Sequence, residues 1–100
     1  MTSGPFYARN FLGESHTVWA KTFVNRLASQ GQIVHFQIVE GPHAGHSGAD
    51  TTAENGRAEF TYTGEQVGHD IIEIRWVDPF GETHTCTATK SWMARPEEAH

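Results

Sequence analysis

The sequence predicts an all-β sandwich, and three observations carry that reading. Apolar residues recur with a period of two in one run after another, the mark of strands with one buried face. Clusters of Gly, Pro, Asn and Asp separate the runs at spacings of roughly 10 to 20 residues, as in all-β sandwiches. Almost no stretch carries apolar residues at helical spacing. With 100 residues, 37% of them apolar and 11% aromatic, the chain has material for one core and one domain spanning 1–100.

Taken in order, weak strand candidates lie near residues 5–12 and 47–52, and the clear runs lie elsewhere. In HTVWAKTF, Val18 and Ala20 alternate with Thr17, Trp19 and Lys21. In QIVHFQIV, Val34, Phe36 and Ile38 form the better core face, opposite Ile33, His35, Gln37 and Val39. RAEFTYTG sets Ala58, Phe60 and Tyr62 inward and Glu59, Thr61 and Thr63 outward. DIIEIRWV does the same with Ile72, Ile74 and Trp76. ETHTCTATKSW places His84, Cys86, Ala88, Lys90 and Trp92 on one face and four threonines on the other.

Turn chemistry joins these runs. Gly41-Pro42 reads as a rigid entry to a small-residue crossing, GPHAGHSG. Asn55-Gly56 reads as a type I′ hairpin turn, because both residues accept positive φ. Asp78-Pro79-Phe80-Gly81 reads as a turn in which Pro presets one φ and Gly takes a positive one. A polar tail over 94–100, with Glu97-Glu98, reads as a flexible, solvated end.

Composition excludes several functions. Net charge is −5, from 12 acidic and 7 basic residues, and no stretch clusters Lys and Arg, which argues against a nucleic-acid partner. No apolar run approaches the ~20 residues of a membrane helix, so membrane insertion is not expected. MTSGPFYARN lacks the regions of a signal peptide, so an exported protein would carry its signal elsewhere on a longer chain. Cys86 is the one cysteine, so the core and not a disulfide must hold the fold. The glycines of residues 41–64 precede no helix and no Lys, unlike a phosphate loop.

The runs GESHTVWA, VHFQIVEGPHAGHSG, DTTAENGRAEFTYTG, GHDIIEIRW and TATKSW, in this order over roughly 13–92, resemble the bacterial immunoglobulin-like repeat domains (invasin/intimin type) of cell-surface and adhesion proteins. The resemblance implies a Greek-key sandwich of about seven strands. It carries over Gly41, Pro42, Gly45, Asn55, Gly56, Phe60, Tyr62, Gly64 and Asp70, all as residues that keep the fold. None is catalytic in that family, and Asp70 is expected to accept backbone hydrogen bonds at its strand start. The chain departs from the pattern at His43, Glu54 and His69, and at Trp19 and Lys21, which replace threonines. Extracellular modules of this kind can carry Lys–Asn isopeptide bonds. Lys21 and Lys90 are the only lysines, and no Asn lies on the final strands to accept one.

Seven histidines raise the question of a metal. His43 and His46 share a loop, and His35, His69 and His84 lie on neighbouring strands or their ends, so a zinc or nickel site is conceivable. No second close pair and no CxxC accompany them, and surface histidines without metal or other cofactor are expected. Ser15-His16 and Ser47 with Asp50 supply catalytic residue types in no strained nucleophile context, so no enzyme is expected. The reading is a structural or adhesion module, extracellular or at the cell surface, whose partners are a protein, a glycan or adjacent repeats. Trp19, Phe80 and Trp92 are its candidate contacts, with coverage of the core edge as the competing role. The alternative is a virion decoration module docking on a phage capsid or tail.

Overall fold

A computed structural model describes residues 1–95. Among them every regular element is a strand: β1 (Thr2–Gly4), β2 (Tyr7–Phe11), β3 (Ser15–Lys21), β4 (Phe23–Val24), β5 (Leu27–Ala28), β6 (Ile33–Glu40), β7 (Ser47–Thr51), β8 (Arg57–Thr63), β9 (Gly68–Val77) and β10 (Thr83–Met93). Glu97 and Glu98 lie outside the described residues.

The strands form a three-stranded sheet in the order β1-β3-β8, a five-stranded sheet in the order β2-β10-β9-β6-β7, and a small β4-β5 ribbon. β2 runs parallel to β10, and the other pairs are antiparallel. The expectation of about seven strands was therefore too small, because the first strand is split between sheets and residues 23–28 add a ribbon.

The inward faces follow from the period-two pattern. Cross-strand register builds rows on the five-stranded sheet: Val34 beside Trp76 and His84, Phe36 beside Ile74 and Cys86, Ile38 beside Ile72 and Ala88. Val18, Ala20, Ala58 and Tyr62 of the other sheet meet these rows in one cluster. Val18, Ala20 and Ala58 are small, and Tyr62 is the large buried side chain of the narrow sheet. Each fully buried Val, Ile or Phe contributes roughly 1.5–3 kcal/mol.

Phe60 departs from its expected burial and is only half-buried. It sits on the outermost strand of the three-stranded sheet, where no further strand covers the core face. Its ring stacks on Phe36 at 5.7 Å and on Tyr62 at 5.8 Å. The edge of β7 curls toward it, and Asp50 Oδ2 accepts the Glu59 backbone N–H at 2.8 Å, satisfying an edge donor of β8.

The Asn55-Gly56 turn forms, but not as type I′: the Ala53 N–H donates to the Arg57 carbonyl at 3.0 Å and closes a three-residue reversal. Of the two residues only Gly56 has a positive φ, 77°. Its N–H donates to the Ala53 carbonyl at 2.8 Å, while Asn55 Oδ1 accepts the Arg57 N–H at 3.0 Å. The flanking strands β7 and β8 lie in different sheets, so the segment is a corner between layers. The local side-chain bond of Asn55 satisfies the backbone without a left-handed residue there. Two consecutive positive φ values occur instead at Asn25 (52°) and Arg26 (68°), joining β4 to β5 across the Val24–Leu27 pair. The Asp78–Gly81 turn forms as expected, with the Gly81 N–H on the Asp78 carbonyl at 3.0 Å and a φ of 86° at Gly81.

A Cβ at Gly56 would lie 2.7 Å from the Thr22 carbonyl oxygen. Gly56→Val should therefore destabilise the fold by more than about 1 kcal/mol, and Asn55→Ala by less. Urea melts of the two variants check this ordering, and equal losses would restore the two-residue turn.

Candidate functional site

The densest polar constellation surrounds Asp70, which is fully buried near the start of β9. Its Oδ1 accepts the His43 backbone N–H at 3.1 Å. Its Oδ2 accepts three side-chain donors: His43 Nδ1 at 2.7 Å, the Tyr62 hydroxyl at 2.8 Å and the Trp92 indole at 3.1 Å. The Glu65 backbone N–H, which can only donate, reaches His43 Nε2 at 2.9 Å. Nε2 is therefore the acceptor, and the imidazole carries its proton on Nδ1 toward Asp70. Burial pushes the Tyr62 phenol far above its usual range, and its bond to Asp70 adds to the shift.

Local structure brings these groups together. The loop between β6 and β7 closes on itself, with Gly45 N–H on the Ile38 carbonyl at 3.0 Å and Ile38 N–H on the His46 carbonyl at 2.8 Å. Gly41 enters this loop at a φ of 108°, and a Cβ there would overlap Asp70. Pro42 follows, and His43 turns into the core. GPHAGHSG is thus a folded hairpin loop anchored by its histidine, and the expectation of a surface His43 is corrected.

Carboxylate, imidazole and phenol within one cluster are catalytic residue types, and here both imidazole nitrogens, the phenol proton and both carboxylate oxygens are engaged in bonds within the protein. Asp70 does more than accept backbone bonds, since three of its four donors are side chains. Trp92 is 1% exposed, so it is withdrawn as a surface contact. Trp19 is half-buried, with the Arg57 guanidinium 5.1 Å from its ring centroid. Phe80 is 74% exposed on the β9–β10 turn.

The histidine set that the spacing allowed is not assembled. His43 has both nitrogens engaged, His46 and His69 are exposed, and His69 and His84 stand near opposite ends of the β9–β10 ladder, opposite Ser91 and Trp76. His35 lies on the outer face of β6.

A second buried polar group was legible in part. Period two already places Lys90 on the face of Cys86 and Ala88, and the side chain is fully buried. Its Nζ has no hydrogen-bond partner among the described residues and lies 4.8 Å from the Trp92 ring centroid. Burial lowers its pKa, against the opposing pull of Glu14. Across the core, burial and then the Lys90 charge lower the pKa of His16 to about 4.

On the outer face of the five-stranded sheet, Tyr7, Ile33, Val39 and Val77 are exposed. Between β6, β7 and β9 a shallow depression of about 360 Å³ is lined by His35, Gln37, Ser47, Ala49 and Arg75. No helix of the described residues is long and apolar enough to cross a membrane. Comparison with protein-family models, curated proteins and solved structures returned no match.

Asp70→Ala should cost about 3–5 kcal/mol, because it strands the buried donors of His43, Tyr62 and Trp92 together. Equilibrium denaturation measures the loss, and a cost under 1 kcal/mol would remove the network from its structural role. Lys90→Met should stabilise the protein at pH 7 by about 1 kcal/mol or more, since an unpartnered buried ammonium is replaced by an apolar chain of similar length. His16 binds its proton more weakly in the folded than in the unfolded state. Its contribution is therefore complete above about pH 6.5 and lost as pH falls toward about 4. His16→Gln should flatten that acid limb in melting curves, and Lys90→Met should make it shorter and shallower by raising the folded-state pKa of His16 toward 6.5.

Proposed function

We propose that this chain is a non-catalytic immunoglobulin-like module of a bacterial cell-surface or secreted protein, acting as a spacer or binding domain. The observation that carries the reading is strand order. β1-β3-β8 opposite β10-β9-β6 follows the order of the A-B-E and G-F-C strands of an immunoglobulin sandwich. β7 then takes the place of the extra strand beside C, and β1 and β2 divide the first strand between the two sheets. The departure is beside β8, where a fourth strand of the first sheet would stand and the β7 edge curls over instead.

The non-catalytic part of the proposal rests on the saturated Asp70 cluster, which offers a substrate neither a free base nor a nucleophile. The binding part rests on the outer face of the five-stranded sheet, where exposed Ile33, Val39 and Val77 border the Arg75 depression. A few exposed apolar side chains around convergent polar groups suit a saccharide or protein surface.

The test is a screen of the chain against glycans, host-cell surfaces and phage capsid and tail proteins. A ligand from the first two classes is expected, weakened at least tenfold by Arg75→Ala or Val77→Asp with the melting temperature held. Capture of a capsid or tail protein would instead assign the virion decoration role. A ligand indifferent to both substitutions would remove this face from the reading.

A further inference from the structure

We propose that the β9–β10 turn binds a divalent transition-metal ion between Asp78, Glu82 and His84. One ligand atom from each of the three lies within 4.8 Å of the other two. The His84 Nε2 and Asp78 Oδ2 are 2.9 Å apart. This contact is a hydrogen bond that an ion would replace. Two donors at about 2.1 Å from one ion are about 3.0 Å apart at right angles and about 3.4 Å apart at the tetrahedral angle, so the pair need separate by only about half an ångström or less to become adjacent ligands. Glu82 is exposed, and its carboxylate has no hydrogen bond or ion pair among the described residues, which leaves it free to swing onto the same ion.

The donors are held from behind, as metal ligands are. Asp78 Oδ1 accepts the N–H groups of Phe80 at 2.9 Å and Glu82 at 3.0 Å, which turns Oδ2 toward His84. The Asp78 N–H donates to the Glu82 carbonyl at 2.8 Å, closing the turn that spaces the two carboxylates. The His84 ring lies on the Trp76 indole, centroids 4.7 Å apart and planes within 23°, so its plane is set by a buried residue. Trp76 is in turn anchored by its Nε1–H on Gln32 Oε1 at 3.1 Å.

The donor set selects the ion. One imidazole and two carboxylates suit zinc, nickel or cobalt, with solvent completing the coordination, whereas calcium requires six or more oxygens. The ion would cross-link the two ends of the turn that presents Phe80, and would share no ligand with the histidines of residues 43–46.

Calorimetric titration of the full chain with zinc and nickel chloride tests the site. A saturable one-to-one isotherm is expected, weakened on the order of tenfold or more by His84→Gln and by Glu82→Gln. The Glu82 side chain supports nothing else in the fold, so its variant should melt as the parent does and report on binding alone. A His46→Gln, His69→Gln double variant should bind as the parent does. In nitrogen-edited NMR spectra, nickel should broaden the amide signals of residues 78–84 and the Trp76 indole signal first. Absence of saturable binding, binding that survives both ligand substitutions, or broadening centred on other histidines would each overturn the proposal.

Discussion

The structure depends on how the Asp70 carboxylate is kept out of water. Removing a carboxylate from solvent costs several kcal/mol unless its lone pairs are filled with good geometry. Four donors fill them here, from β8, β10 and the β6–β7 loop. One charge therefore ties the two sheets and a hairpin loop to a single point. The requirement spreads outward: Gly41 must lack a side chain to let the loop approach, and Glu65 must present its N–H so that His43 keeps its proton on the Asp70 side.

Lys90 shows the opposite balance. It lies beside Asp70 in the β9–β10 ladder and is equally buried, yet no acceptor among the described residues reaches its Nζ, which has only the face of Trp92 at 4.8 Å and the pull of Glu14 to offset its burial. The indole of Trp92 thus serves both charges, giving its N–H to the carboxylate and its ring face to the ammonium. His16 bears the consequence across the core, where the nearby positive charge disfavours its own protonation. The same interior holds one polar group that fixes geometry and one that taxes stability.

Two aspartates bracket β9 and divide the chemistry of the molecule. Asp70, at the start, is fully buried and has both oxygens bonded to protein donors. Asp78, just past the end, gives one oxygen to backbone N–H groups and turns the other to an imidazole at the surface. The first ties the layers together. The second lies where a bound ion could stiffen the turn that carries an exposed Phe80.

Period-two patterning was enough, without tertiary information, to establish the all-β class and the inward sets Val34-Phe36-Ile38 and Ile72-Ile74-Trp76, because a strand has only two faces and one must be apolar. It also put Lys90 on the inner face, although nothing local says that an inner lysine stays buried. Tertiary structure decided what depends on neighbours distant in sequence. Phe60 is half-buried because its strand is the last in its sheet, and Asn55-Gly56 turns a corner because the strands around it pair with different partners. His43 is internal because a carboxylate 27 residues away needs a donor. Spacing along a chain constrains direction and face, whereas the depth of a side chain and the filling of its lone pairs are set by which layer closes over it.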